Sequence, residues 1–183
     1  MSDQKKSAWN IFSSDQIQEA YHFCESYKEF LSKAKTEREA IQLIHQTTVN
    51  KNARIHLNKH AGAAIIVPGK KPIEEGVKIV ISHVDSPRLD LKQIPLFEDK
   101  DSNLALLETH YYGGIKKFQW LTIPLALHGI IIKKDGEKIN FHIGEDPKDP
   151  VFTVADILPH LSYDVQDKKK VRDAIQGERL DIL

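Results

Sequence analysis

The sequence predicts an α/β or α+β protein, and three observations carry that prediction. Two amphipathic helical segments open the chain, two short runs dense in alanine, isoleucine and valine follow, and the second half strings strand-like runs between turn signals.

The first helix is announced by Ser13 and Gln16, a capping-box spacing that predicts a helix to about Ala34. Ile17, Tyr21, Cys24, Tyr27 and Leu31 recur along it at three-to-four spacing and mark one apolar face. Cys24, set among Tyr21, Tyr27 and Phe30, reads as a small buried hydrophobe. A second box, Thr36 with Glu39, predicts a shorter helix burying Ala40, Leu43 and Ile44. Both helices read as scaffold; His22 and His45 are read as surface or core histidines.

Strand-like text follows. Residues Ala63 to Val67 form a compact apolar run stopped by Pro68 and Gly69, and Val77 to Ile81 form another after a polar turn. Beyond Pro95, strands are expected over Leu104–Tyr111, Phe118–Ile123, Leu125–Lys133 and Lys138–Ile143. Lys134-Asp135-Gly136-Glu137 supplies the hairpin turn between the last two, and Gly113-Gly114 a turn or bulge. The loop Asp146–Pro150 precedes a segment, Phe152–Leu161, expected to be helical. Tyr163 to Leu183 is charged and weakly periodic.

Composition removes several function classes. Lysine plus arginine equals aspartate plus glutamate at 26 each, which offers no electrostatic pull on nucleic acid or an anionic membrane. One cysteine rules out an internal disulfide framework and a cysteine-rich zinc knuckle. The apolar stretch from Leu121 to Ile132 is too short and interrupted to span a bilayer. The opening residues carry no secretory h-region, so a cytoplasmic location is expected.

His83-Val84-Asp85, at the end of an apolar run, is the strongest local chemical signal. Residues two apart in an extended chain face the same side, so the imidazole and carboxylate can converge. A neutral imidazole is a good zinc ligand, and a carboxylate on its other ring nitrogen fixes the tautomer. The pair can equally be a turn device, with Asp85 capping local amides. A zinc site needs at least three protein ligands, and this segment supplies one. His110, His128 and His142 lie within apolar or aromatic runs and read as structural.

The wider words are more specific. The segment from Ser82 to Lys92 resembles the first metal motif of the aspartyl aminopeptidase and aminopeptidase I family of zinc metallopeptidases. Glu108 to Gly114 is similar to that family's Thr-x-Tyr-Gly-Gly segment, and Pro150 to Leu161 resembles a third block in the same order. The phrasing is closest to the bacterial branch.

The resemblance implies a fold: the opening of an α/β zinc-peptidase domain at residues 1–92, then a β-rich inserted dimerisation domain at residues 93–183. It implies that His83 binds one of two zinc ions and that Asp85 orients His83. It implies that His160 reaches into a neighbouring subunit's site to hold substrate, an oxyanion-type role. Peptide substrates and a homo-oligomer built through the β-rich domain are expected with it.

A two-zinc aminopeptidase also needs a bridging aspartate, a catalytic glutamate beside a ligand glutamate, a further aspartate and a late histidine. The family carries these after the insert, and the chain is expected to lack them. Glu74-Glu75, the adjacent glutamate pair present, sits in a polar turn before His83 and is a poor substitute. The expectation is therefore a truncated metalloaminopeptidase, inactive alone, for which three alternatives stay open: the missing C-terminal half is a separate polypeptide, the gene product is truncated, or the fragment is stabilised by oligomerisation. The competing expectation is a non-catalytic dimerisation fragment associating with a complementary or full-length chain. Residues 1–92 alone are expected to leave unpaired strand edges.

Overall fold

A computed structural model describes residues 7–48, 52–59 and 61–183. The chain divides into two compact units, one up to Asp85 and one from Ser86. Both combine helices or helical turns with small antiparallel sheets, so the fold is mixed α and β. Among the described residues the strands form three two-stranded sheets.

In the first unit, helix α1 (Ser14–Lys33) begins where the capping box places it. Ser13 Oγ accepts the Gln16 amide at 3.3 Å and Gln16 Oε1 accepts the Ser13 amide at 3.0 Å. Helix α2 (Glu37–Thr47) opens in the same way on Thr36 and Glu39. Reciprocal caps satisfy amides that the first turn leaves without partners, which is why four residues suffice to locate each start. Helix α2 buries Ala40 and Ile41, while Leu43 and Ile44 are half-buried.

Helix α1 contradicts the expected placement of Cys24, which is exposed. None of the described α1 residues is buried. Along its apolar stripe Ile17 is half-buried, while Tyr21, Tyr27 and Leu31 stay exposed. The aromatics instead pack along the helix, Phe23 on Tyr27 and Tyr27 on Phe30 with centroids 6.5 and 6.4 Å apart.

Strands β1 (Arg54–Asn58) and β2 (Gly62–Ile66) pair as an antiparallel hairpin from Arg54↔Ile66 to Asn58↔Gly62. The expected strand at Val77–Ile81 does not form; the segment has no ladder partner among the described residues. Ile79, Val80 and Ile81 are 72%, 96% and 88% exposed. An unbroken apolar run is the composition of a strand flanked on both edges and covered on both faces. Composition alone cannot provide the neighbours.

The second unit begins with a long ribbon, β3 (Arg88–Asp99) against β4 (Leu104–Tyr112). Register jumps from Leu91↔Thr109 to Leu96↔Leu107, so five steps on β3 face two on β4. Pro95, which has no amide to donate, lies inside that irregularity. Strand β5 (Leu127–Ile132) and β6 (Lys138–Ile143) form the expected hairpin. Its turn closes with the Lys133 amide donating to Glu137 O at 2.9 Å, and Gly136 takes a φ of 88°.

Two expected elements fail here. Phe118–Ile123 is not a strand: Lys117–Trp120 winds into a 3₁₀ turn, and Leu121 and Leu125 make single bridges to Val154 and Phe152. Phe152–Leu161 is not one helix either, because α3 spans Pro159–Val165. Proline pushes the residue before it out of the helical region, and Leu158 accordingly sits at φ −64°, ψ 152°.

Val154, Leu180 and Ile182 form the buried centre of this unit, with Leu107, Leu121, Phe152 and Ile175 packed around it. The weakly periodic tail thus carries core residues. After the short helix α4 (Val171–Ala174), it turns through Gly177–Arg179 and places Ile182 beside Leu107. There the two residues exchange backbone hydrogen bonds of 2.8 and 2.9 Å.

Candidate metal centre

His83 and Asp85 follow the 77–81 run, and the structure brings their side chains together. His83 Nδ1 lies 3.1 Å from Asp85 Oδ1 and 3.0 Å from the Asp85 carbonyl oxygen. With the proton on Nδ1 the ring donates to both acceptors, which leaves the lone pair on Nε2. The imidazole is 83% exposed, whereas the carboxylate is half as accessible at 39%. A partly covered carboxylate aiming an open imidazole is the donor arrangement found behind metal-bound histidines.

One imidazole so arranged fits a zinc ion as a single ligand. Among the described residues, no set of three histidine, cysteine or carboxylate donors that includes His83 gathers within reach of one ion. The residues present therefore fit one corner of a zinc site, and a closed coordination shell needs more donors.

Downstream, the same motif changes role from chemistry to anchoring. Arg88 Nε donates to Asp90 Oδ1 at 2.6 Å, and its guanidinium stacks 4.3 Å from the Tyr112 ring centroid. Arg88 pairs with Tyr112 across the β3–β4 ribbon, so the tail of the first motif lies beside the Tyr112-Gly113-Gly114 segment. Gly113 holds φ 76°, and a Cβ there would meet Pro87 at 3.5 Å. Pro87 and Gly113 thus form the adjoining corners of the two motifs.

His160 belongs to the second unit, in the first turn of α3, with its side chain exposed. Histidine–carboxylate pairs also form in that unit. His110 Nδ1 is 2.9 Å from Glu178 Oε1, and His128 Nε2 is 3.0 Å from Glu145 Oε1. Their histidines are visible in the sequence, but the partners are 68 and 17 residues away, beyond any local spacing rule.

A carboxylate-oriented imidazole suits a metal ligand. Residues 15–183 match the family model described as aminopeptidase I zinc metalloprotease (M18). The chain belongs to this family. It is 44% identical to the "Probable M18 family aminopeptidase 1" of Clostridium acetobutylicum, over 97% of this chain and 42% of that protein. Among solved structures it is similar to aminopeptidase I from Clostridium acetobutylicum, with TM-score 0.83 and 39% identity. That match covers 100% of this chain and 43% of the other. It is likewise similar to an M18-family aminopeptidase from Thermotoga maritima, with TM-score 0.83 and 36% identity over 99% of this chain and 41% of that one. The chain thus spans about two-fifths of the length of the relatives it matches.

Proposed function

We propose that this chain is the N-terminal portion of a zinc-dependent aminopeptidase that removes N-terminal residues from peptides. His83 is one zinc ligand, Asp85 is its positioning partner, and the complete site holds two zinc ions. The observation that carries the reading is the His83–Asp85 hydrogen bond at 3.1 Å inside a chain of this family. Zinc bound there supplies Lewis-acid polarisation of a peptide carbonyl. Within the chain, Asp85 holds the Nδ1 proton of His83 and keeps Nε2 as a donor toward the metal. His160 donates a hydrogen bond to the substrate's carbonyl oxygen in a neighbouring subunit. Residues 1–92 serve the peptidase domain and residues 93–183 form the dimerisation domain, in a cytoplasmic homo-oligomer. Among the described residues no helix is long and apolar enough to cross a membrane.

The second reading is a non-catalytic interaction fragment that associates with a complementary or full-length chain. The exposed apolar run at Ile79, Val80 and Ile81 favours it.

Activity separates the two. The chain is assayed on aminoacyl substrates with zinc, manganese or cobalt, alone and mixed with a polypeptide carrying the rest of the family sequence. The peptidase reading expects release of N-terminal residues in the mixture and its loss with His83→Gln. Silence of the mixture under all three metals would leave the interaction reading standing.

A further inference from the structure

The charged tail of the second unit folds round a small hollow. Leu121 and Leu180 line it, and both belong to the apolar centre around Val154. Val165 at the end of α3 and Ala174 and Ile175 at the end of α4 add further apolar wall. The hollow holds about 230 Å³. Sites for drug-sized ligands run to roughly 300–1,000 Å³, so this one suits a smaller molecule.

Hydrogen bonds hold its walls in place. Gln166 Nε2 donates to Asp156 Oδ1 at 3.0 Å, which ties the end of α3 to the segment that leads into it. The same oxygen accepts the Ile157 amide at 2.8 Å. Thr109 Oγ1 donates to the Leu180 carbonyl at 2.7 Å and fixes the floor.

The charged residues that line the hollow are Asp156, Lys169 and Arg179. Asp156 is engaged as just described. Lys169 and Arg179 are exposed, and among the described residues neither side chain has a hydrogen-bond or ion-pair partner. One positive charge is thus in excess beside an apolar floor. A water-filled dent is the ordinary alternative. Bound water needs about two to four polar partners, and the side chains of Leu121, Ile175 and Leu180 offer none. An anion with an apolar body satisfies both halves: its carboxylate takes charge-assisted hydrogen bonds from the cations, and its carbon chain covers the floor.

We propose that this hollow binds a short apolar monocarboxylate, with Arg179 and Lys169 taking the carboxylate and Leu121, Ile175 and Leu180 the carbon chain. A monoanion matches the single excess charge, whereas a zwitterionic amino acid brings an ammonium to a mouth that is already cationic. Arg179 offers the planar fork that fits a carboxylate, and Lys169 adds a point charge. The bound acid joins the ends of α3 and α4 to the core and stabilises the second unit by mass action. Binding there needs neither zinc nor catalysis and does not rest on the peptidase reading.

The test titrates the full, isotope-labelled chain with isocaproate at neutral pH and follows it by NMR. The expected result is a saturable shift of the Ala155, Ala174 and Ile175 methyl signals, all from residues that line the hollow. Lys169→Gln combined with Arg179→Gln weakens binding at least about tenfold, the scale of losing a hydrogen bond to a charged group. Both side chains are exposed, so the doubly substituted chain keeps its fold, which its methyl spectrum checks. Isocaproamide, with the same carbon chain and no charge, tests the parent without any substitution and binds at least about tenfold more weakly. No saturable shift with isocaproate, equal binding of the amide, or equal binding by the folded double variant overturns the proposal. Leucine binding more tightly than isocaproate also overturns it, since the mouth would then select an ammonium. Peptidase activity of the complemented chain is a separate readout, so either idea can fail without the other.

Discussion

Thr109 Oγ1 donates a 2.7 Å hydrogen bond to the carbonyl of Leu180, and both residues are almost wholly buried. This one bond joins the middle of β4 to the last residues of the chain, 71 positions away. Thr109→Val keeps the shape and removes the donor, leaving the buried acceptor short of a partner at a cost of about 1–3 kcal/mol. Urea unfolding should show that loss in the second unit, while Thr109→Ser, which keeps the hydroxyl, stays closer to the parent. Equal stability of the valine and parent chains would refute the role given to this bond.

The glycines of the second unit should separate into tolerant and intolerant positions. A Cβ on buried Gly177 would lie 2.5 Å from Cδ1 and Cε1 of Tyr111, and the ring would have to leave its place. Gly177→Ala is expected to cost about 1–3 kcal/mol through overpacking. Gly113→Ala should cost about 1–2 kcal/mol, because φ 76° is left-handed. Gly114→Ala meets nothing within 4 Å and should leave the thermal midpoint where it is.

Asp149 makes stability depend on acid in one loop. Amides of Gly144 and Asp146 donate to its carboxylate and hold its pKa below the ordinary value. A folded pKa below the unfolded one contributes stability that is present above about pH 3.9 and is lost as pH falls through the folded value. Asp149→Asn should therefore be less stable than the parent at neutral pH, with the two converging in strong acid. Unfolding curves at the two pH values decide it: a gap of constant size excludes the charge as the cause.

Features written in neighbouring residues were legible, and features that need distant partners were not. Ser13 with Gln16, Thr36 with Glu39, and the Lys134–Glu137 turn each close within a few residues, so spacing alone placed them. His83 and Asp85 belong to the same class, two residues apart. Val77–Ile81 and Phe118–Ile123 have strand composition without a full ladder, since pairing is a property of the partner as much as of the run. Leu180 and Ile182 hid in a charged tail because only folding reveals that Leu107 and Thr109 wait for them. The Glu178 and Glu145 partners of His110 and His128 were out of reach for the same reason.

If Asp85 orients His83 for zinc, its charge should matter more than its shape. Asp85→Asn keeps an oxygen acceptor but removes the charge that raises the basicity of the imidazole. Zinc affinity of the complemented chain should fall roughly 10–100-fold, the usual cost of losing such a partner. Competition against a calibrated chelator measures it. An asparagine variant that holds zinc as tightly as the parent would reduce Asp85 to a turn residue.

The apolar run before His83 should govern how this chain behaves in solution. Ile79, Val80 and Ile81 are exposed and without a ladder partner among the described residues, so their side chains present an apolar run for another strand. The chain is expected to self-associate, more so with rising concentration and with salt that strengthens apolar burial. Charges in such a run oppose pairing, which makes Val80→Lys a direct probe. Light scattering coupled to size exclusion should show the parent at higher mass than Val80→Lys at equal concentration. Val80 is 96% exposed, so the lysine disturbs no packing and the fold should survive the change. A parent chain that stays monomeric over the same range would mean that the run is not adhesive, and the interaction reading would lose its main support.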